Sequence, residues 1–139
     1  MVNSDSYRIM VALLARGDEK PVVDQAVLMA EKFNAELVAI HVCEPVLSQP
    51  KGSASIRVTD EIIRDIFSDY GYGNVLDDLK IIIVKGDNIS ETINEHISDI
   101  KMLVVGHRKM SDFKSSIMDS TDEGITNTVP CPVLVVQKD

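Results

Sequence analysis

"VVGHRKMSDFKSSIMDSTDEG" (104–124) is the stretch on which the fold turns. Val104 and Val105 close an apolar run, Gly106 lets the chain turn, and Ser120-Thr121 can open a helix. A strand running into a glycine, a polar loop and a helix outlines a phosphate-binding turn in an open α/β sheet. The loop between those ends holds no further glycine, however, and carries Lys109 and Asp119.

Working outward, the same alternation recurs along the chain. "YRIMVALLA" (7–15) is a short apolar run bounded by turn residues, which suits a strand buried on both faces. In "PVVDQAVLMAEKFN" (21–34) the period changes: Val22, Val23, Ala26, Val27, Ala30 and Phe33 recur at helical spacing. Pro21 fits the first helical position, and Asn34 can take a left-handed terminal conformation.

"AELVAIHVC" (35–43) is a second strand, followed by a proline- and serine-bearing loop (44–55). An amphipathic helix spans 56–71, with Ile56, Ile62, Ile63, Ile66 and Phe67 inward and Gly71 as its stop. A third strand covers 79–86, a helix capped at Asn88 or Ser90 covers 88–100, and a fourth strand covers 101–106. A short helix over 120–129, weakened by Gly124, precedes the last strand at 130–137. Strands alternating with helices predict a parallel sheet covered on both faces, in a single doubly wound domain over residues 1–139.

In such sheets ligands bind at the carboxyl ends of the strands, where strand order reverses. The loops that matter are therefore 14–20, 43–55, 84–88 and 106–119.

Composition narrows the partners. The net charge of −8 disfavours phosphate backbones and anionic membranes. A modest basic patch (Arg108, Lys109 and Lys114) has no interleaved aromatic residue, so nucleic acid is not expected. No run approaches the roughly 18 apolar residues of a membrane span. "MVNSDSYR" lacks the basic start and apolar run of a secretory signal, so a cytoplasmic location is expected. Cys43 and Cys131 have neither CxxC nor zinc-ligand spacing and read as buried, reduced thiols.

The pieces "RIMVALL", "AVLMAEKFNAELVAIHV", "VKGD", "DIKMLVVGHR" and "TVPCPVLVV" resemble the universal stress protein family. The likeness runs from about residue 7 to residue 138. It implies an adenine nucleotide alpha hydrolase-like fold, a five-stranded parallel sheet in the order 3-2-1-4-5. It also implies a homodimer paired through the C-terminal strand. The continuously apolar "VLVV" supports that pairing independently, since a bare edge strand invites a partner.

One class of that family binds ATP through a pattern of Gly, two residues, Gly, nine residues, then Gly and Ser or Thr. On this chain the first glycine is Gly106 and the hydroxyl is Ser120, but the second glycine falls on Lys109 and the third on Asp119. A phosphate cradle needs bare, inward-pointing N–H groups. Lys109 can supply charge in exchange, whereas Asp119 brings a carboxylate where phosphates would sit. Asp119 or Ser120 can cap the following helix, and Asp122 and Glu123 already answer its dipole. Opposed charges at contact cost about 1–4 kcal/mol at effective dielectrics between those of water and a protein surface.

The family's aspartate after strand one falls on Leu14 when counted along the strand and on Asp18 when counted back from the helix. Asp18 is thus a candidate adenine contact, against the plainer reading of a surface turn or helix cap. The tentative nucleotide set is Asp18, Val42, Gly106, Arg108, Lys109, Ser120 and Thr121. No cofactor is required, and ATP or another adenine nucleotide is the alternative.

His41 reads as a hydrogen-bonded structural residue, His96 as solvated or partly buried, and His107 as a loop residue beside the site. Gly86 serves the backbone. Met102, Met110 and Met118 read as flexible packing, and Ser115, Ser116, Ser120 and Thr121 as possible phosphate acceptors in keeping with the resemblance. No metal site, carboxylate pair or general base stands near the loop, so no enzyme is expected. The expectation is a stress-response protein acting through an unidentified protein partner, with weak or no ATP binding. The second reading is an adenine-nucleotide switch with an altered phosphate loop from Gly106 to Thr121.

Overall fold

The computed structural model describes residues 7–15, 17–43, 57–107, 124–125 and 128–138. Five strands, β1 (Arg8–Ala12), β2 (Glu36–Cys43), β3 (Lys80–Lys85), β4 (Met102–His107) and β5 (Val133–Gln137), form one sheet in the order β3-β2-β1-β4-β5. All four pairings are parallel. The expected class and strand order are the observed ones, and the order reverses between β1 and β4.

Alternate residues of each strand point to opposite faces. One face buries Ile9, Val11, Leu37, Ala39 and Val104 beneath α1 (Lys20–Lys32) and α2 (Asp60–Asp69). The other buries Met10, Val38, Ile40, Leu103 and Val105 beneath α3 (Ile89–Glu95) and the segment carrying Ile125 and Val129. The central strand β1 has its three middle residues buried, whereas the edge strands β3 and β5 are only half-buried.

Local chemistry sets the helix ends. Thr59 caps α2 by accepting a hydrogen bond from the Ile62 N–H, and Asn88 caps α3 by accepting one from Glu91 N–H. Gly71, at φ +93°, takes the left-handed conformation that stops α2. Asn34 does so after α1, at φ +51°. Pro21 occupies the second helical position, because α1 begins one residue earlier, at Lys20. Residue 56 lies outside the described residues, and the described α2 starts only at Asp60. Helix α3 stops at Glu95, and a turn carries Ile97 and Ile100 into the core before β4.

Phe33 departs from its expected inward position. It is 48% exposed, since it follows the last turn of α1, and it stacks on Tyr7 with ring centroids 5.0 Å apart. Tyr72 ties α1 to the chain after α2 by donating its hydroxyl hydrogen to Asp24 Oδ1, which also faces Lys20. That bond, with burial, pushes the Tyr72 phenol up to about 12. Burial pushes Asp24 upward, but Tyr72 and Lys20 outweigh it and leave this carboxyl below its ordinary value.

The cysteines are free and half-buried rather than fully buried. Cys43 ends β2 and Cys131 precedes β5, so two strands lie between theirs. Three strand spacings come to about 14 Å, beyond the roughly 7 Å that a disulfide spans between Cα atoms.

Candidate functional site

The carboxyl ends of β1 and β4, where strand order reverses, are lined by the 13–20 turn, the end of β4 and the residue after β5. Three features fill this crevice from within the chain.

The first is Glu19. It is the residue before α1, yet its side chain does not cap that helix. It reaches back, and its two carboxylate oxygens accept hydrogen bonds from Leu14 N–H (2.8 Å) and Ala15 N–H (2.7 Å). The turn is tightly wound, with Ala15 at φ +61° and Gly17 at φ +85°. Successive amides converging on one anion form a nest, and here the anion is supplied by the chain itself. Only 2% of Glu19 is exposed.

The second is Gly106. It does not turn the chain as expected, since it lies within β4 and pairs with Val136. Its requirement is space. A Cβ at this position would lie 2.7 Å from Val22 Cγ2 and 2.9 Å from Lys138 Cδ. The stem of Lys138 therefore lies directly across the glycine.

The third is the ion pair at the end of that stem. Lys138 Nζ is 3.4 Å from Asp18 Oδ2, and the lysine side chain is only 7% exposed. Its backbone N–H donates to His107 O at 3.0 Å, extending the β4–β5 ladder by one residue. Asp18 is thus a half-buried turn residue and not the helix cap; Glu19 holds the cap position.

Of the seven site residues expected from sequence, Asp18 and Gly106 come together, bridged by Lys138. Val42 does not join them. It sits near the right level on β2, but it is buried on the α3 face, whereas the space above Gly106 opens toward Val22 and α1. Arg108, Lys109, Ser120 and Thr121 lie outside the described residues. So do Asp119, the patch residue Lys114, and the hydroxyls of Ser115 and Ser116.

Glu19 and Lys138 were missed by sequence reasoning. The acidic pair Asp18-Glu19 just before α1 was a local hint of the first. Nothing local marks the second, because its partners lie in other segments of the sequence.

His41 has the expected structural role. Its Nδ1 lies 2.8 Å from the Leu13 carbonyl oxygen, which can only accept, so Nδ1 carries the hydrogen. This bond, with Leu13 N–H donating to Ile40 O, anchors the start of the 13–20 turn. His96 is half-buried, with Nδ1 donating to Thr92 O. Gly86 has no room for a side chain against Thr92. Gly124, expected to weaken its helix, packs where a Cβ would meet Ser90 Oγ at 2.5 Å.

A cleft of about 240 Å³ lies at the amino ends of the strands, away from the crevice. Arg8, Lys80 and His96 line it together with Glu95 and Asp99. Arg8 is already engaged by Glu36 at 3.2 Å and Asp99 at 3.9 Å, so the rim carries no marked excess of either charge. Among the described residues there is no group of three or more His, Cys, Asp and Glu able to hold a metal ion. Nor is any described helix long and apolar enough to cross a membrane.

Comparisons with known proteins agree with this architecture. The model described as "Universal stress protein family" matches residues 6–137. No curated protein matches the chain. A universal stress protein solved in complex with cAMP superposes with a TM-score of 0.69 at 18% identity, covering 96% of this chain and 98% of that one. The universal stress protein UspA from Lactobacillus plantarum gives 0.61 at 17%, covering 96% and 99%. One from Archaeoglobus fulgidus, in complex with dAMP, gives 0.56 at 15%, covering 94% and 97%.

Proposed function

This chain belongs to the universal stress protein family, and on that premise we propose that it is a dimeric, cytoplasmic stress-response protein that binds ATP weakly or not at all. It works through contacts with a protein partner, and no catalytic step is assigned to it.

The observation that carries this reading is the self-filled crevice. The amides of residues 14 and 15 already hold the Glu19 carboxylate, and the space over Gly106 already holds Lys138 paired with Asp18. A triphosphate entering here would meet two carboxylates and one committed ammonium. Contacts between like charges cost about 1–4 kcal/mol each at such a site, comparable with the hydrogen bonds that a phosphate would make. The half-buried apolar edge strand β5 supports pairing with a second copy.

A second reading, an adenine-nucleotide switch, is favoured by the likeness to proteins solved with cAMP and dAMP. In that case Asp18, Gly106, Arg108, Lys109, Ser120 and Thr121 would form the site.

Thermal-shift titration with ATP and magnesium separates the two. A ligand at about 100 times its dissociation constant stabilises a fold by about 2.7 kcal/mol. The expected result is no shift at millimolar ATP; a clear shift would replace the first reading with the second. Sedimentation equilibrium at micromolar protein should report a dimer, and a monomer there would remove the pairing through β5.

A further inference from the structure

The two edges of the sheet are not alike. β5 is apolar from Val133 to Val136, and the lysine beyond it folds inward onto Gly106. β3, the opposite edge, carries four half-buried apolar residues, Ile81 to Val84, between two exposed lysines, Lys80 and Lys85. Neither lysine forms an ion pair with a described residue.

The ladder fixes which backbone groups β3 leaves open. In a parallel pair, alternate residues turn both their N–H and their C=O toward the neighbouring strand. Gly86 N–H donates to Cys43 O at 3.1 Å and continues the β2–β3 register, so Lys80, Ile82 and Val84 face β2. The N–H and C=O groups of Ile81, Ile83 and Lys85 therefore point away from the sheet, and no described residue pairs with them. On the α3 face, the cleft of about 240 Å³ reaches β3 at Lys80 and Ile82 and leaves room there for an incoming side chain.

We propose that the β3 edge docks an extended segment of a partner protein by strand addition, and that this segment carries a carboxylate at each end of a short apolar run. Main-chain hydrogen bonds to Ile81, Ile83 and Lys85 supply the attraction, and the two lysines select charge and length. A second copy of β3 is disfavoured on the same ground. Two-fold pairing of identical edges is antiparallel, and in full overlap it sets Lys80 of each copy opposite Lys85 of the other. The net charge of −8 does not decide the matter, because charges more than about 8 Å away are largely screened at physiological salt. Asp78 and Asp87 stand just beyond the strand, so a segment with further acid past the paired stretch is penalised. The proposal rests on the reading that this chain acts through a protein partner, and it names the surface and the chemistry of that contact.

The probe is a blocked hexapeptide with glutamate at both ends and alternating valine and threonine between them. The control peptide has lysine at both ends. Hydrogen exchange of the full chain is followed residue by residue by NMR. At about ten times its dissociation constant, an added strand should slow the Ile81, Ile83 and Lys85 amides about tenfold. Ile82 and Val84, already bonded to β2, should not change. The glutamate peptide should bind the parent chain about tenfold more tightly than the lysine peptide. That preference should reverse in the double variant Lys80→Glu, Lys85→Glu, whose fold is checked by circular dichroism melts.

No binding of the glutamate peptide to the parent at millimolar concentration overturns the proposal. So do equal affinities of the parent for the two peptides, and binding that protects Val133 and Val135 of β5 in place of the β3 amides. Exchange at Ile81 and Ile83 that slows with rising protein concentration, without peptide, would make a second copy the occupant and overturn it as well. A clear shift with ATP would instead remove the proposed function and leave the peptide result standing, so the two failures are distinguishable.

Discussion

Replacing Glu19 by alanine tests the nest in the 13–20 turn most directly. The carboxylate accepts two backbone hydrogen bonds, at 2.7 and 2.8 Å, and is 2% exposed. A hydrogen bond to a charged acceptor is worth about 1.5–3 kcal/mol net, and a buried donor left without a partner costs about 1–3 kcal/mol. Water reaching the half-buried turn recovers part of this, and the desolvation cost of the carboxylate disappears. The expected loss is about 2–4 kcal/mol.

Small domains are stable by only about 5–15 kcal/mol in total, so the variant should remain folded but melt roughly 10 °C lower. Urea denaturation should show a lower midpoint at unchanged slope, since the surface exposed on unfolding is the same. Glu19→Gln, which keeps one accepting oxygen and brings an amide toward the other N–H, should fall between. Formate at high concentration should partly restore Glu19→Ala and leave the parent unaffected, because the emptied nest then takes an external anion. A Glu19→Ala midpoint within about 0.5 kcal/mol of the parent, the scatter typical of neutral surface substitutions, would refute the claim that this carboxylate organises the turn.

Two further substitutions probe the packing around the sheet. Tyr72→Phe removes the hydroxyl from Asp24 and should cost about 1 kcal/mol at pH 7. Tyr72 is raised from 10.0 to about 12 in the fold, so its contribution is complete below pH 10 and fades as pH climbs to about 12. Asp24 is lowered, so its share is complete above its ordinary 3.8 and fades as pH drops below that. Urea midpoints of parent and variant should therefore converge toward both extremes, and a constant gap from pH 7 to pH 12 would contradict the pairing.

Gly124→Ala gains helix propensity of up to about 1 kcal/mol, yet overpacking against the buried Ser90 typically costs about 1–3 kcal/mol. A net loss of about 1 kcal/mol is expected, recovered when Ser90→Ala is added. A stabilised single variant would show that the contact yields freely.

Much of the fold was legible because it rests on local periodicity. Val22, Val23, Ala26 and Val27 face the sheet as their spacing requires, and the middle of β1 is buried as its unbroken apolar run implies. The element ends were less legible. The apolar run of strand one continues to Ala15, but its pairing stops at Ala12 because the 13–20 turn follows. Helix α3 ends at Glu95 although Ile97 and Ile100 continue an apolar pattern, since those two residues reach the core from a turn. Gly106 was found for the wrong reason: a glycine beside a loop reads as a turn, whereas its purpose is to leave room for Lys138.

The strand order, with its reversal between the first and fourth strands, was implied only by the family resemblance. The sequence by itself determined the alternation of strand and helix, hence a parallel sheet with two covered faces. These follow from periods of two and of 3.6 residues, which any short window reveals. Only the tertiary structure decided what occupies the reversal point. Asp18 follows β1 and Lys138 follows β5, near opposite ends of the chain, and no local pattern pairs them. They meet because parallel strands bring all their carboxyl ends to one edge of the sheet, where a charge from the last residues can fold across a glycine from the fourth strand and reach the first.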